Sequence, residues 1–244
     1  MLIGSLHGGA ILNGPRNSPD TDLNKLSRLK ALAWLAPSEM TSLAGALAVH
    51  SFGRREVMLR EVALASEAHI LLTGIARITC MNAHHDRVTV SLLAPGPVPE
   101  FPSPGTSRFD FRCEAYNICR VGSLSWSDFD SITAHGSQSA FRRFRQNDLR
   151  HWSQMLLRSS SLLNLDLHER IAITLLELAA DFGIKESRGM LLRASFSHQD
   201  IADLVGASRP RVTEHLARLE SEHVIIRQGR QTIVCSERLA HSQN

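Results

Sequence analysis

Two arginines one residue apart, Arg209 and Arg211, are followed by Thr213 and Glu214, with Ser208 just before them. An arginine fork can bind the O6 and N7 edge of guanine with two parallel hydrogen bonds, and hydroxyl and carboxylate groups can reach other base edges in a DNA major groove. Arg227 and Arg230 lie further on, on either side of a Gln-Gly pair, where they could meet phosphates. Ser197 and Gln199 precede the cluster. These residues only make sense together if the chain around them forms two crossing helices and a hairpin.

The flanking sequence supplies those elements. Ser197 is a good N-cap, and Asp200 three positions later completes a capping-box pattern. Ile201, Leu204 and Val205 then recur at helical spacing until Gly206, which can adopt the left-handed conformation of a tight turn. Small Ala202, then Gly206, then Val212 give the spacing by which one helix crosses closely over another. Ser208 is placed to cap a second helix whose first turn holds Pro210, harmless there because that N–H has no intrahelical partner. Val212, Leu216 and Leu219 form its buried stripe. Val224-Ile225-Ile226 and Thr232-Ile233-Val234 flank Gln228-Gly229-Arg230 as the strands of a wing. The pattern from Phe196 to Val234 is a winged helix-turn-helix.

Charge does not carry this reading by itself. The formal net charge is +3, and from Phe196 to Asn244 six arginines face six acidic residues. DNA affinity must come from where Arg209, Arg211, Arg227 and Arg230 stand. At 244 residues the chain suits one large or two modest domains. No run approaches the roughly 18 apolar residues that span a bilayer, and MLIGSLHGGAILNGPR lacks a basic leader and a cleavage site, so the expected location is the cytoplasm. Cys80, Cys113, Cys119 and Cys235 lack metal-finger spacing and are expected as reduced thiols. An enzyme is not expected, since the sequence holds no phosphate-cradling glycine loop, HExxH or GxSxG.

Residues 1–25 are expected as a flexible tail. Helical spacing from Leu26 to about His50, broken at Pro37, gives way to short strand-like runs: 57–59, 70–72, 76–78, 88–92, 109–113 and 119–121. Many short strands with turns between them predict a β-roll or jelly roll over 26–136, closed by a short helix from Trp126. Residues 137–164 read as one long helix with an apolar side broader than a surface helix needs, suited to pairing with its own copy. Asp166 with Glu169 caps a fresh helix that Gly183 ends at C′, and residues 165–244 form the winged domain. The expected fold class is α+β.

With this order in place the chain resembles the Crp/Fnr family of bacterial transcription regulators, relatives of the cyclic-AMP receptor protein. The resemblance is carried by DLHERIAITLLELA and SHQDIADLVGASRPRVTEHLARLE, and more weakly by HILLTGIARIT and VTVSLLAPG. It implies a homodimer, a cyclic-nucleotide-binding-like β-roll, and two recognition helices in successive major grooves of a near-palindromic site, with RNA polymerase as a further partner. Ser208 and Arg209 match the family's Ser-Arg start. Pro210 stands where relatives often have a glutamate, and Glu214 where an arginine is frequent. His215 replaces an apolar residue, which reads as a packing change.

Family members that bind a cyclic nucleotide use Gly-Glu followed by Arg and Ser or Thr. Here the corresponding stretch runs from Pro95 to Asp110. Four prolines in eight residues remove N–H donors, Glu100 and Arg108 are shifted candidates for the ligand contacts, and Asp110 would oppose an anion. The long helix offers Met155 and Leu156 where hydroxyls meet the base. The effector is therefore expected to differ from cyclic AMP. An iron–sulfur cluster is not expected, because no cysteine precedes Cys80. Cys80, His84 and His85 are haem or metal ligand types, but NAHHD is read as a solvated turn and no metal site is assigned. Cys113 and Cys119 could form a redox pair or stay buried thiols. The competing readings are a winged-helix protein-interaction module that has lost DNA binding, and a haem- or redox-responsive regulator.

Overall fold

The computed structural model describes residues 19–60, 67–81, 87–99, 110–133, 139–229 and 231–235. Glu100, Arg108, His84, His85 and Arg230 lie outside them, as does most of the expected tail. The chain divides into two compact units, Met1–Trp152 and Ser153–Asn244.

The first unit opens with α1 (Pro19–Leu26) and α2 (Pro37–Ala46), joined through a 3-10 turn at Lys30–Leu32. Helix α1 starts inside the stretch expected as tail, because Leu26 is fully buried in the apolar core and half-buried Leu23 packs against it. Strands β1 (Ala48–Phe52), β8 (Cys119–Ser125), β3 (Glu67–Thr73) and β6 (Gly96–Pro97) form one sheet in the order β1-β8-β3-β6. Strands β2 (Val57–Arg60), β7 (Phe111–Ala115), β4 (Ala76–Met81) and β5 (Arg87–Leu93) form the other, in the order β2-β7-β4-β5. Every pairing is antiparallel.

Alternation along the strands builds two cores. Leu71, Ile78, Phe111, Cys113 and Val121 pack together with Phe52 and Leu93, and Trp152 rests against them. On the opposite face of the first sheet Ala68, Ile70, Leu72 and Leu124 meet Leu32 and Leu43 from the leading helices and Phe129 from α3 (Trp126–Thr133). Strand β3 is thus buried on both faces, which is why Ile70, Leu71 and Leu72 are apolar in succession.

The expected helix to His50 is corrected at its end. It stops at Ala46, Leu47 is already extended, and Ala48 to Phe52 pair with Ser123 to Cys119 of β8. Helical spacing at the apolar positions loses there to pairing with a strand far along the chain.

The long helix α4 (Ser139–Asn164) begins in the first unit and ends in the second. The second unit continues with α5 (Leu167–Phe182), β9 (Gly183–Glu186), β10 (Gly189–Leu192), α6 (His198–Val205), α7 (Arg209–Ser221), β11 (Ile225–Gln228) and β12 (Gln231–Val234). The last two strands are the wing, in a sheet ordered β11-β12-β10-β9. Asp166 caps α5 as expected: its carboxylate accepts from Glu169 N at 2.9 Å while Glu169 accepts from Asp166 N at 2.9 Å. Gly183 ends α5, but in extended backbone (φ −87°, ψ 154°) rather than a left-handed cap. A Cβ there would lie 2.2 Å from Ala179 O, so only glycine lets the chain turn directly from helix into strand.

Candidate nucleic-acid interface

Helix α6 starts at a reciprocal cap. Ser197 Oγ accepts from Asp200 N at 3.2 Å, and Asp200 Oδ2 accepts from Ser197 N at 2.7 Å and from Ser197 Oγ at 2.6 Å. The Ser197 hydroxyl is therefore engaged within the protein. Gln199 Nε2 donates to Asp203 Oδ1 at 2.7 Å on the exposed side. Gly206 then takes the left-handed conformation (φ 62°, ψ 46°) that the turn requires. Ser208 stands at the N-cap of α7 without the expected capping bond from its hydroxyl, and Pro210 occupies the first turn.

Along α7 the stripe of Val212, Leu216 and Leu219 is buried almost completely, and Arg209, Arg211, Thr213 and Glu214 are exposed. Burial of Val212 between positions 211 and 213 fixes the roll of the helix, so the exposed set cannot turn inward. Among the described residues neither Arg209 nor Arg211 makes an ion pair. His215 is half-buried with its ring 5.7 Å from that of His168, in keeping with packing.

One member of this surface was missed by sequence reasoning. His198, the first residue of α6, has Nδ1 2.8 Å from Thr213 Oγ1, and Arg227 Nη2 lies 3.0 Å from its Nε2. Burial lowers the imidazole's affinity for a proton, and the charges of Arg227 and Arg209 lower it further. Thr213 Oγ1 donates to Arg209 O at 2.9 Å, and Arg227 Nε also stands 3.6 Å from Glu220 Oε2. Residues far apart in sequence thus join α6, α7 and the wing.

In the β-rich unit, Asp110 accepts from Arg87 at 2.6 Å and from Arg112 at 2.9 Å. Burial raises its carboxyl, but the hydrogen bonds and charges of the two guanidiniums prevail and hold it below the usual range. It is not the bare charge that would oppose an anion. Cys113 and Cys119 are buried free thiols. Burial pushes Cys119 up to about 11 despite backbone hydrogen bonds, and raises Cys113 further, so both stay protonated near neutral pH. Among the described residues no group of three or more His, Cys, Asp or Glu side chains could hold a metal. None of their helices is long and apolar enough to cross a membrane.

Two antiparallel sheets, a long helix and a winged helix-turn-helix make a fold similar to that of solved proteins of the Crp/Fnr family. Residues 169–241 match the model of the Crp-like helix-turn-helix domain. The chain is 26% identical over 226 residues to a CRP-like cAMP-activated global transcriptional regulator of Mycobacterium tuberculosis, covering 88% of this chain and 96% of that one. Its fold is similar to FixK2 of Bradyrhizobium japonicum (TM-score 0.64, 22% identity, 80% of this chain and 96% of that). It is also similar to a CooA variant of Carboxydothermus hydrogenoformans (TM-score 0.62, 16% identity, 82% and 89%).

Proposed function

We propose that the protein is a sequence-specific, homodimeric transcription regulator that reads double-stranded DNA with α7. The observation that carries this reading is the exposure of Arg209, Arg211, Thr213 and Glu214 on a helix whose opposite stripe is buried. Arg209 is assigned the guanine contact, Arg211 a phosphate contact, and Glu214 a base edge with an amino donor. Ser197, Gln199 and Ser208 flank the groove, and Arg230 extends the wing's charge.

Dimerisation is supported by Leu149, Leu156 and Leu163 on α4. They are exposed by 66%, 70% and 85% and stand seven residues apart, a heptad stripe that a second copy of the helix would cover. A change in that pairing, passed through the break at Asp166, would set the spacing of the two recognition helices. An effector other than cyclic AMP is supported by Pro95, Pro97, Pro99 and Pro102, which cannot donate to a phosphate, and by Met155 and Leu156 in place of hydroxyls. RNA polymerase is the proposed further partner, and the cytoplasm the proposed location.

A gel shift on the promoter region of the protein's own gene, run over a series of salt concentrations, tests the reading. The expected complex resists excess random DNA and weakens as salt rises, with a log–log slope of about −0.9 per phosphate contact. Absence of any shift at low salt, with the dimer intact, would favour a protein-interaction module.

A further inference from the structure

We infer that His198, as the neutral imidazole with its proton on Nδ1, is a positioning residue that locks the wing to the recognition helix. This rests on the DNA-reading role of α7 proposed above, but the geometry argues for it separately. Arg227 can only donate, so the Nε2 it approaches at 3.0 Å must be the bare, accepting nitrogen. The proton then sits on Nδ1, which donates to Thr213 Oγ1 at 2.8 Å. The Thr213 hydroxyl in turn donates to Arg209 O at 2.9 Å. The chain Arg227 to His198 to Thr213 to Arg209 runs in one donor direction, with no group asked to donate and accept the same proton.

Arg227, held between His198 and Glu220, is fixed in direction before DNA arrives. Thr213 has spent its only donor, so it offers a base one lone pair and a methyl group and can satisfy the amino group of adenine or cytosine or the methyl of thymine, but not an acceptor edge of guanine. A protonated His198 could not accept from Arg227 and would repel it. The charged groups facing the ring are Arg227 on the wing and Arg209 on α7, with Glu220 of α7 behind Arg227.

Nitrogen-15 spectra of the histidine rings in the full-length protein read the tautomer directly. The expected pattern near neutral pH is a protonated Nδ1 and an unprotonated Nε2 at His198, with the Nε2 signal moving in Arg227→Ala. A proton on Nε2, or an imidazolium, would overturn the proposal, as would an Nε2 signal that ignores Arg227→Ala. On the promoter fragment, His198→Ala and Arg227→Ala should each weaken binding about five-fold, and the double variant should lose no more than about twice the larger single loss. His198→Gln, which keeps a donor and an acceptor, should recover part of the affinity. Fully multiplicative losses would overturn the coupling. If the wild-type protein binds no DNA, the regulator reading fails while the spectra still decide the joint.

Discussion

Gly206→Ala tests the turn that sets α7 at its angle to α6. Gly206 has φ +62°, and a left-handed residue with a Cβ costs about 1–2 kcal/mol. The added methyl would sit 3.2 Å from Leu162 Cδ2, a contact that a small shift of the leucine end relieves. Alanine also restricts the unfolded chain, which offsets the loss by about 0.4–1 kcal/mol. The net effect is a destabilisation of about 1 kcal/mol, or roughly 4–8 °C in Tm for a unit the size of Ser153–Asn244. Gly45→Ala is the matched control. Gly45 lies in α2, is exposed, and has nothing within 4 Å of an added Cβ. There the same substitution should stabilise by about 0.5–1 kcal/mol. Denaturant unfolding followed by circular dichroism, with hydrogen exchange to assign each effect to its unit, measures both. Gly206→Asn, which tolerates the left-handed region better, should fall between wild type and Gly206→Ala. A Gly206→Ala protein as stable as wild type, beside a stabilised Gly45→Ala, would refute the left-handed turn.

Arg209→Ala should weaken binding to the specific site by about 1–3 kcal/mol and change random-DNA affinity far less, as measured by competition binding; equal losses would reduce Arg209 to a phosphate contact. Serine at Leu149, Leu156 and Leu163 together should turn a dimer into a monomer in sedimentation velocity, and an unchanged dimer would place the interface elsewhere. The lowered proton affinity of His198 means that the unfolded chain binds its proton first as pH falls. Stability of the winged unit should therefore be complete above the ordinary histidine value of 6.5 and decline below it, a decline that His198→Gln removes from the urea midpoint against pH. Asp110 has the usual carboxylate sense, its contribution present above 3.8 and lost as pH falls below that value. Iodoacetamide near neutral pH should label half-buried Cys235 and spare Cys113 and Cys119; equal labelling of Cys119 would contradict its burial.

Features written in a few adjacent residues were legible from sequence. The caps at Asp166 and Ser197, the turn at Gly206 and the stripe Val212–Leu216–Leu219 each depend on spacings of three to seven residues and stand where the residue types place them. Features decided by distant partners were not legible. Strands β9 and β10 are short and mostly half-exposed, and β10 is held by β12, more than forty positions later in the chain, so residues 184–192 carry no alternation of their own. Strand β1 was hidden for the same reason, its partner β8 lying about seventy residues away. His198 sat in plain view beside the Ser197 cap. Its role comes from Thr213 and Arg227, separated from it by 15 and 29 positions, and no local rule connects them.

In the proposed complex two copies of α7 read one near-palindromic site. Selection of bound duplexes from a random library by the full-length protein tests it most directly. The expected result is enrichment of a two-fold symmetric sequence whose half-sites lie about 10 base pairs apart centre to centre, with a guanine in each half that loses its preference in Arg209→Ala. Failure of the intact dimer to enrich any sequence over the starting library would contradict it.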